Sequence, residues 1–170
     1  RTFELTQTNE KLTQSEKEAR DELEDAHDMQ VALLPRSAPV IPGLQISGKN
    51  IPAREVGGDF FDYLESDNKI SIVVGDVSGK GLKGAMNAVM TSGILRLIDD
   101  ENPALESSIL MAKVNKSLCR SMEADMNVTA VIAQFDLEKK QMILVNAGQH
   151  AYPLLKRGSS IEPVKAKGLA

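Results

Sequence analysis

The sequence predicts an α+β domain carrying a long N-terminal helix, and three observations lead there. Strand-like and helical patterns come in blocks, β-β-β-α-α-β-β, and do not alternate. Successive strand patterns are joined by hairpin-length links, which suit antiparallel pairing with helices on a face of the sheet. The first 34 residues differ from the rest: they are rich in Glu, Asp, Lys, Gln and Thr and contain no Gly or Pro.

That first segment is periodic. Leu5, Leu12, Ala19, Ala26 and Leu33 recur every seven residues, one apolar seam of a heptad pattern. The second seam, Thr8, Ser15, Glu22 and Met29, is mostly polar, while Leu23 and Val31 widen the stripe near the end. Residues 1–34 therefore read as a helical linker with weak coiled-coil character, and residues 35–170 as the domain proper. A helix packed on its own domain and a dimerising or signal-carrying helix both fit the pattern. Pro35 ends the helix.

The segment "PRSAPVIPG" at 35–43 is a stiff connection with three prolines. Strand patterns follow at 44–52, 60–65 and 69–77, the last two joined by a turn, "ESDNK". Helical patterns cover 82–100 and 104–122, the second opening near Pro103, a suitable first-turn residue. Strands at 127–136 and 141–147 flank the charged turn "LEKK", and a short one is expected at 152–156.

Composition narrows the function classes. The 170 residues are 42% hydrophobic, enough for one core, but only 4% aromatic. A formal net charge of −4 argues against a broad nucleic-acid footprint. No apolar stretch nears the about 18 residues that span a bilayer, and the charged, polar N-terminus does not read as a signal peptide. The single cysteine, Cys119, rules out an intrachain disulfide, suits a reducing cytoplasm, and reads as packing within a helix.

The chemistry concentrates in two short stretches. "VVGDVSGKG" delivers Asp76 from an apolar strand into a glycine-rich loop with Lys80. A phosphate-cradling Walker loop needs G-x-x-x-x-G-K-[ST]. Here only three residues separate Gly75 from Gly79, and Gly81 follows Lys80 where a hydroxyl belongs. Upstream, "REVGGDFFDYL" places Asp59 after a glycine pair and Asp62 three residues on. Paired glycines suggest a bulge or a closely approached backbone. A hairpin can bring Asp59 and Asp76 together, and two close carboxylates repel unless one is protonated. A hard divalent cation removes the conflict: Mg²⁺ and Mn²⁺ both accept carboxylates, waters and backbone carbonyls such as that of Val77. The residues alone leave a metal site and an ordinary turn both open.

Taken together, "EVGGDFFD", "GDVSGKG" and the late "NAGQH" resemble the SpoIIE/RsbU-type branch of the PPM (protein phosphatase 2C-like) serine/threonine phosphatases. The upstream "AHDMQVALLP" is similar to the helix that precedes such domains in bacterial members. The resemblance covers about residues 30–170. It implies an αββα sandwich of mainly antiparallel sheets with a two-metal centre, Mn²⁺ or Mg²⁺. It implies that Asp59 and Asp76 are catalytic metal ligands and that Val77 lends its carbonyl. Asp62 matches the motif and is expected to sit behind the ligands. Lys80 and Arg54 are candidates for holding a substrate phosphate, each weighed against a solvated loop residue. His27 reads as a surface residue of the linker helix. His150 lies in "AGQHAYP", which departs from the A-G-H-x-P-P usual in the family, and reads as loop structure.

The reaction so implied is hydrolysis of a phosphoserine or phosphothreonine ester, with cations that activate water and clamp the phosphoryl oxygens, and no covalent intermediate. In this branch the usual substrate is a phosphorylated anti-sigma-factor antagonist. An upstream sensor or receiver domain and a homodimer through the N-terminal helix are the further partners implied; nucleic acid and membrane insertion are not. Family members carry additional C-terminal aspartates. Here Glu162 is the only side-chain carboxylate after Glu138. The sequence thus reads as a domain incomplete at its C-terminus, with weak metal binding, low or no turnover, and an exposed sheet edge that invites dimerisation or swapping. Two rivals are a non-catalytic PPM-like dimerising or binding module, which the missing acids favour, and a nucleotide-binding kinase-like domain, which the loop spacing disfavours.

Overall fold

The computed structural model describes residues 2–53, 55–66, 68–103 and 105–166. The chain runs from helix α1 (Thr2–Leu33) into a long irregular connection. It then forms β1 (Asp59–Ser66), β2 (Lys69–Val77), α2 (Leu82–Glu101), α3 (Ser107–Ser121), β3 (Val128–Asp136) and β4 (Gln141–Ala147). A separate hairpin, β5 (Leu154–Arg157) with β6 (Ser160–Pro163), follows. The four main strands make one antiparallel sheet in the order β1-β2-β3-β4. Consecutive strands in that order pair because their connections are short or, between β2 and β3, are spanned by the two helices.

Strand alternation sorts the sheet into two faces. Phe60, Leu64, Val73, Val77 and Ile132 point to one side, where they meet Ala88 and Leu95 of α2 and Leu110, Val114 and Leu118 of α3. Ala88 and Leu95 lie seven residues apart and Leu110, Val114 and Leu118 four apart, so each helix lays a single stripe on the sheet. The opposite face carries Asp59, Phe61, Tyr63, Ile72, Val74 and Asp76, and is more exposed. Phe61 and Tyr63 meet edge to face there, 5.6 Å between ring centroids.

α1 is mostly solvent-exposed: Leu5 and Leu12 of its apolar seam are 64% and 56% exposed. Only the last third touches the domain, through Leu23, Ala26, His27 and above all the buried Gln30. The expected strand at 44–52 forms no ladder; an isolated bridge, Ile41 to Leu44, stands before it, and Asn50 donates a hydrogen bond to the Asp59 carbonyl at 2.7 Å. The second core helix begins at Ser107 with Glu106 as its N-cap, later than the expected opening near Pro103. Before it, Asn102 N–H donates to the Asp99 carbonyl and Leu105 N–H to the Asn102 carbonyl. Cys119 lies on the exposed side of α3, 3.6 Å from Asn115 Oδ1, because the buried stripe falls on Leu110, Val114 and Leu118. It does not pack in the core as expected. Among the described residues no helix is long and apolar enough to cross a membrane.

Candidate metal centre

β1 and β2 are joined by a two-residue link, so their register is fixed from the turn outward: Ser66 pairs with Lys69, and seven steps on Asp59 pairs with Asp76. Directly opposed residues share a face. The two carboxylates therefore stand side by side at the open end of the hairpin, on the face turned away from the helices, and both are exposed. Partial burial, and after it the charge of Asp76, hold the Asp59 carboxyl above the usual carboxylate range. A shallow cleft of about 340 Å³ runs beside the pair, lined by Lys49, Asn50, Phe61, Tyr63 and Val74 with Asp59 itself.

The loops on either side explain the glycines. Val77 N–H donates to the Gly58 carbonyl at 3.2 Å, and the Val77 carbonyl oxygen lies so close to the Gly58 Cα that a β-carbon there would collide with it. Gly58 is required by that approach. The neighbouring loop needs left-handed backbone at Gly79 (φ 108°) and Gly81 (φ 63°), and Gly81 opens α2. Ser78 locks the loop from below: its N–H donates to the Asn127 carbonyl at 2.9 Å and its hydroxyl accepts from Asn127 N–H at 2.8 Å. Asp76, Val77 and Asp59 thus meet on a braced backbone.

Other expected residues fall elsewhere. Asp62 lies three positions from Asp59 and so on the other face, 1% exposed beneath α2. It does not stand behind the carboxylate pair. It accepts from Arg96 Nε at 2.6 Å and Nη2 at 2.9 Å, from Ser92 Oγ at 2.8 Å, and from Tyr63 N–H at 2.9 Å. Lys80 is exposed in the 78–81 turn and makes no ion pair among the described residues. Arg54 lies outside the described residues. His150 is exposed in the loop after β4, whose shape Asn146 sets by accepting from Gln149 N–H and donating to the Gln149 carbonyl.

Three residues not anticipated as functional brace β1 and its lead-in. Gln30 of α1 donates from Nε2 to the Gly57 carbonyl at 2.6 Å and accepts from Gly57 N–H at 3.3 Å. His27 Nδ1 contacts the Glu55 carbonyl. Arg96 holds Asp62. The signal for Gln30 was a polar residue on the inner stripe of an otherwise simple helix, one turn before its end. Arg96 carried no local signal, since its partner lies 34 residues away.

The donor set suits a hard divalent cation: two carboxylates side by side, a backbone carbonyl next to one of them, and no sulfur or imidazole. Among the described residues no third acid, histidine or cysteine joins the pair.

The model of the family "Stage II sporulation protein E (SpoIIE)" matches residues 66–170. The chain belongs to the SpoIIE family. It is 24% identical over 164 residues to "Phosphoserine phosphatase RsbU" of Bacillus subtilis (strain 168), over 96% of this chain and 48% of that one. Its fold is similar to the SiaA-PP2C domain of Pseudomonas aeruginosa, with a TM-score of 0.65 and 24% identity over 78% of this chain and 54% of that chain. It is likewise similar to the PP2C phosphatase domain of SpoIIE from Bacillus subtilis, with a TM-score of 0.58 and 21% identity over 67% of this chain and 32% of that chain. The chain therefore has the PP2C-type fold expected from the resemblance and covers part of that domain. It spans about half the length of RsbU. In this SpoIIE-family chain the described part supplies a four-stranded sheet with its helix layer and a separate two-stranded hairpin.

Proposed function

We propose that this chain is the N-terminal and central part of a metal-dependent serine/threonine phosphoprotein phosphatase domain, residues 35–170, preceded by a helical linker, residues 1–34. One observation carries the proposal: the cross-strand pairing of Asp59 with Asp76 on an exposed sheet face. Asp59, Asp76 and the Val77 carbonyl would hold Mn²⁺ or Mg²⁺. The metal supplies an activated water and a clamp for phosphoryl oxygens when bound. The chain's own contribution is geometric and electrostatic. The β1–β2 register presents two negative charges to one point. The Gly58–Val77 lock fixes the carbonyl beside them. The Ser78–Asn127 pair holds the loop that presents Lys80, a candidate cation for a substrate phosphate. Arg54 is proposed for the same task. No acidic or basic side chain from this chain is required to form a covalent intermediate.

The proposed substrate is a phosphoserine or phosphothreonine on an anti-sigma-factor antagonist, by likeness to the RsbU branch, in a cytoplasmic signalling protein. α1 is the proposed input. It hydrogen-bonds directly to residues 55–57, next to Asp59, through His27 and Gln30. A change in α1, from dimerisation or an upstream sensor or receiver domain, would therefore reach the metal site within a few residues.

The absence of a third acid among the described residues favours a second reading, a non-catalytic dimerising or binding module. Phosphate release from a phosphoserine peptide with Mn²⁺ separates the two. The comparison needs this chain, a version extended at its C-terminus, and Asp76→Asn in each. The phosphatase reading predicts Mn²⁺-dependent release by the extended protein, little by this chain, and none by either variant. Release that persists in the extended Asp76→Asn protein, or no release by any form, contradicts it.

A further inference from the structure

The exposed pair is only one end of β1's polar content; the other end is buried and tied to α1. Asp62 sits under α2 with both carboxylate oxygens occupied, and Arg96 supplies two of the four hydrogen bonds it accepts. The same guanidinium does a second task. Its Nη2 also donates to the carbonyl of Leu33, the last residue of α1, at 3.0 Å. The final carbonyls of a helix have no partner within the helix, and Pro35 prevents the chain from continuing to supply one. A fixed cation at a helix C-terminus satisfies the carbonyl and complements the helix dipole. The planar fork of arginine can reach Asp62 and the helix end together, whereas a lysine ammonium cannot make the same bidentate contact.

We propose that Arg96 is a positioning residue that ties the end of α1 to the strand bearing Asp59, through Asp62 on that strand's inner face. The tie is separate from the His27 and Gln30 contacts, which reach the 55–57 loop on the near side of Asp59. Together they grip β1 and its lead-in from both sides, so that α1 cannot shift at its end without moving the strand. The inference deepens the input role given to α1 above and rests on that reading.

The test is a double-mutant cycle read by amide hydrogen exchange in residues 60–66, with Mn²⁺ binding measured alongside. Arg96→Lys keeps the charge and loses the fork. Asp62→Asn/Arg96→Met removes both charges, so no carboxylate is left orphaned and the fold is retained. Met29→Pro, at a position 70% exposed, kinks the last turn of α1 and displaces the Leu33 carbonyl. In a chain that already carries His27→Ala and Gln30→Ala, so that the 55–57 contacts cannot transmit it, Met29→Pro should raise exchange in 60–66 by about tenfold, the size of a 1.4 kcal/mol change. In either Arg96 background it should add less than twofold, because the tie is already cut. A purely structural Arg96 would give additive effects. Additivity, or no effect of Met29→Pro on 60–66, overturns the proposal. Failure of the unaltered chain to bind Mn²⁺ would overturn the metal reading alone, since the exchange pattern is read without metal.

Discussion

Asp62 shows how alternation decides a residue's fate. It matches the sequence motif as well as Asp59 does, yet an odd spacing along a strand puts it on the opposite face. There it is a buried anion that survives because Arg96 and Ser92 satisfy it. Removing one partner of such a pair strands an uncompensated charge, which costs about 3–5 kcal/mol. Arg96→Met alone should therefore lower stability by that order in urea unfolding, while Asp62→Asn/Arg96→Met should recover most of the loss. Equal destabilisation by the single and double variants would contradict the pairing. Gly58 makes a second residue-scale case. Its substitution by alanine forces the β-carbon into the Val77 carbonyl, a backbone atom that cannot yield cheaply. Gly58→Ala should cost about 1–3 kcal/mol and weaken Mn²⁺ binding at least tenfold. Gly57→Ala, whose β-carbon would meet only ordinary contact with Pro52, should do neither.

At the scale of elements, the readable parts were those with strong local periodicity. The helix at 1–34, the hairpin at 60–77, both core helices and the strands at 127–136 and 141–147 follow from hydrophobic pattern and turn chemistry, and the structure places them within a few residues. The pairing of the two acids was legible for the same reason: a short turn fixes the register, and the register opposes Asp59 to Asp76. The misses are equally physical. Residues 44–52 have the composition of a strand, but they form no ladder with the sheet, and Asn50 meets the outer edge of β1 only through its side chain, at the Asp59 carbonyl. Pro103 looked like a helix start, but the chain first turns at Asn102 and Leu105. Arg96 and Gln30 act across 34 and 27 residues, a separation no local pattern reports. α1 itself divides: its last third is anchored, while Leu5 and Leu12 lie exposed. Replacing Leu12 and Leu33 by polar residues should shift the oligomeric state measured by light scattering, or the activation of the extended protein. No change in either would count against a pairing role for the helix.

For the whole molecule, charge and pH link the pair to stability. The Asp59 carboxyl is held above its ordinary value by burial and by Asp76. For an acid raised in the folded state, the contribution to stability is full below the unfolded value of about 3.9 and is lost as pH rises through the higher folded value. At neutral pH the metal-free protein thus carries a small strain from two like charges. Like charges directly opposite on a sheet destabilise by a fraction of the roughly 0.2–1 kcal/mol such pairs contribute. Relieving that strain is what a bound divalent cation would do, and what neutralising one aspartate would also do.

That equivalence gives the most direct test of the central claim, that Asp59 and Asp76 converge on a divalent cation. The measurement is the thermal midpoint at pH 7 of the unaltered chain and of Asp76→Asn, each with chelator and with millimolar Mn²⁺. The account predicts that with chelator Asp76→Asn melts slightly above the unaltered chain. It predicts that Mn²⁺ reverses the order by stabilising only the unaltered chain, as binding to the folded state requires. Equal shifts by Mn²⁺ in both proteins, or a variant that melts lower with chelator and loses no Mn²⁺ response, would contradict it.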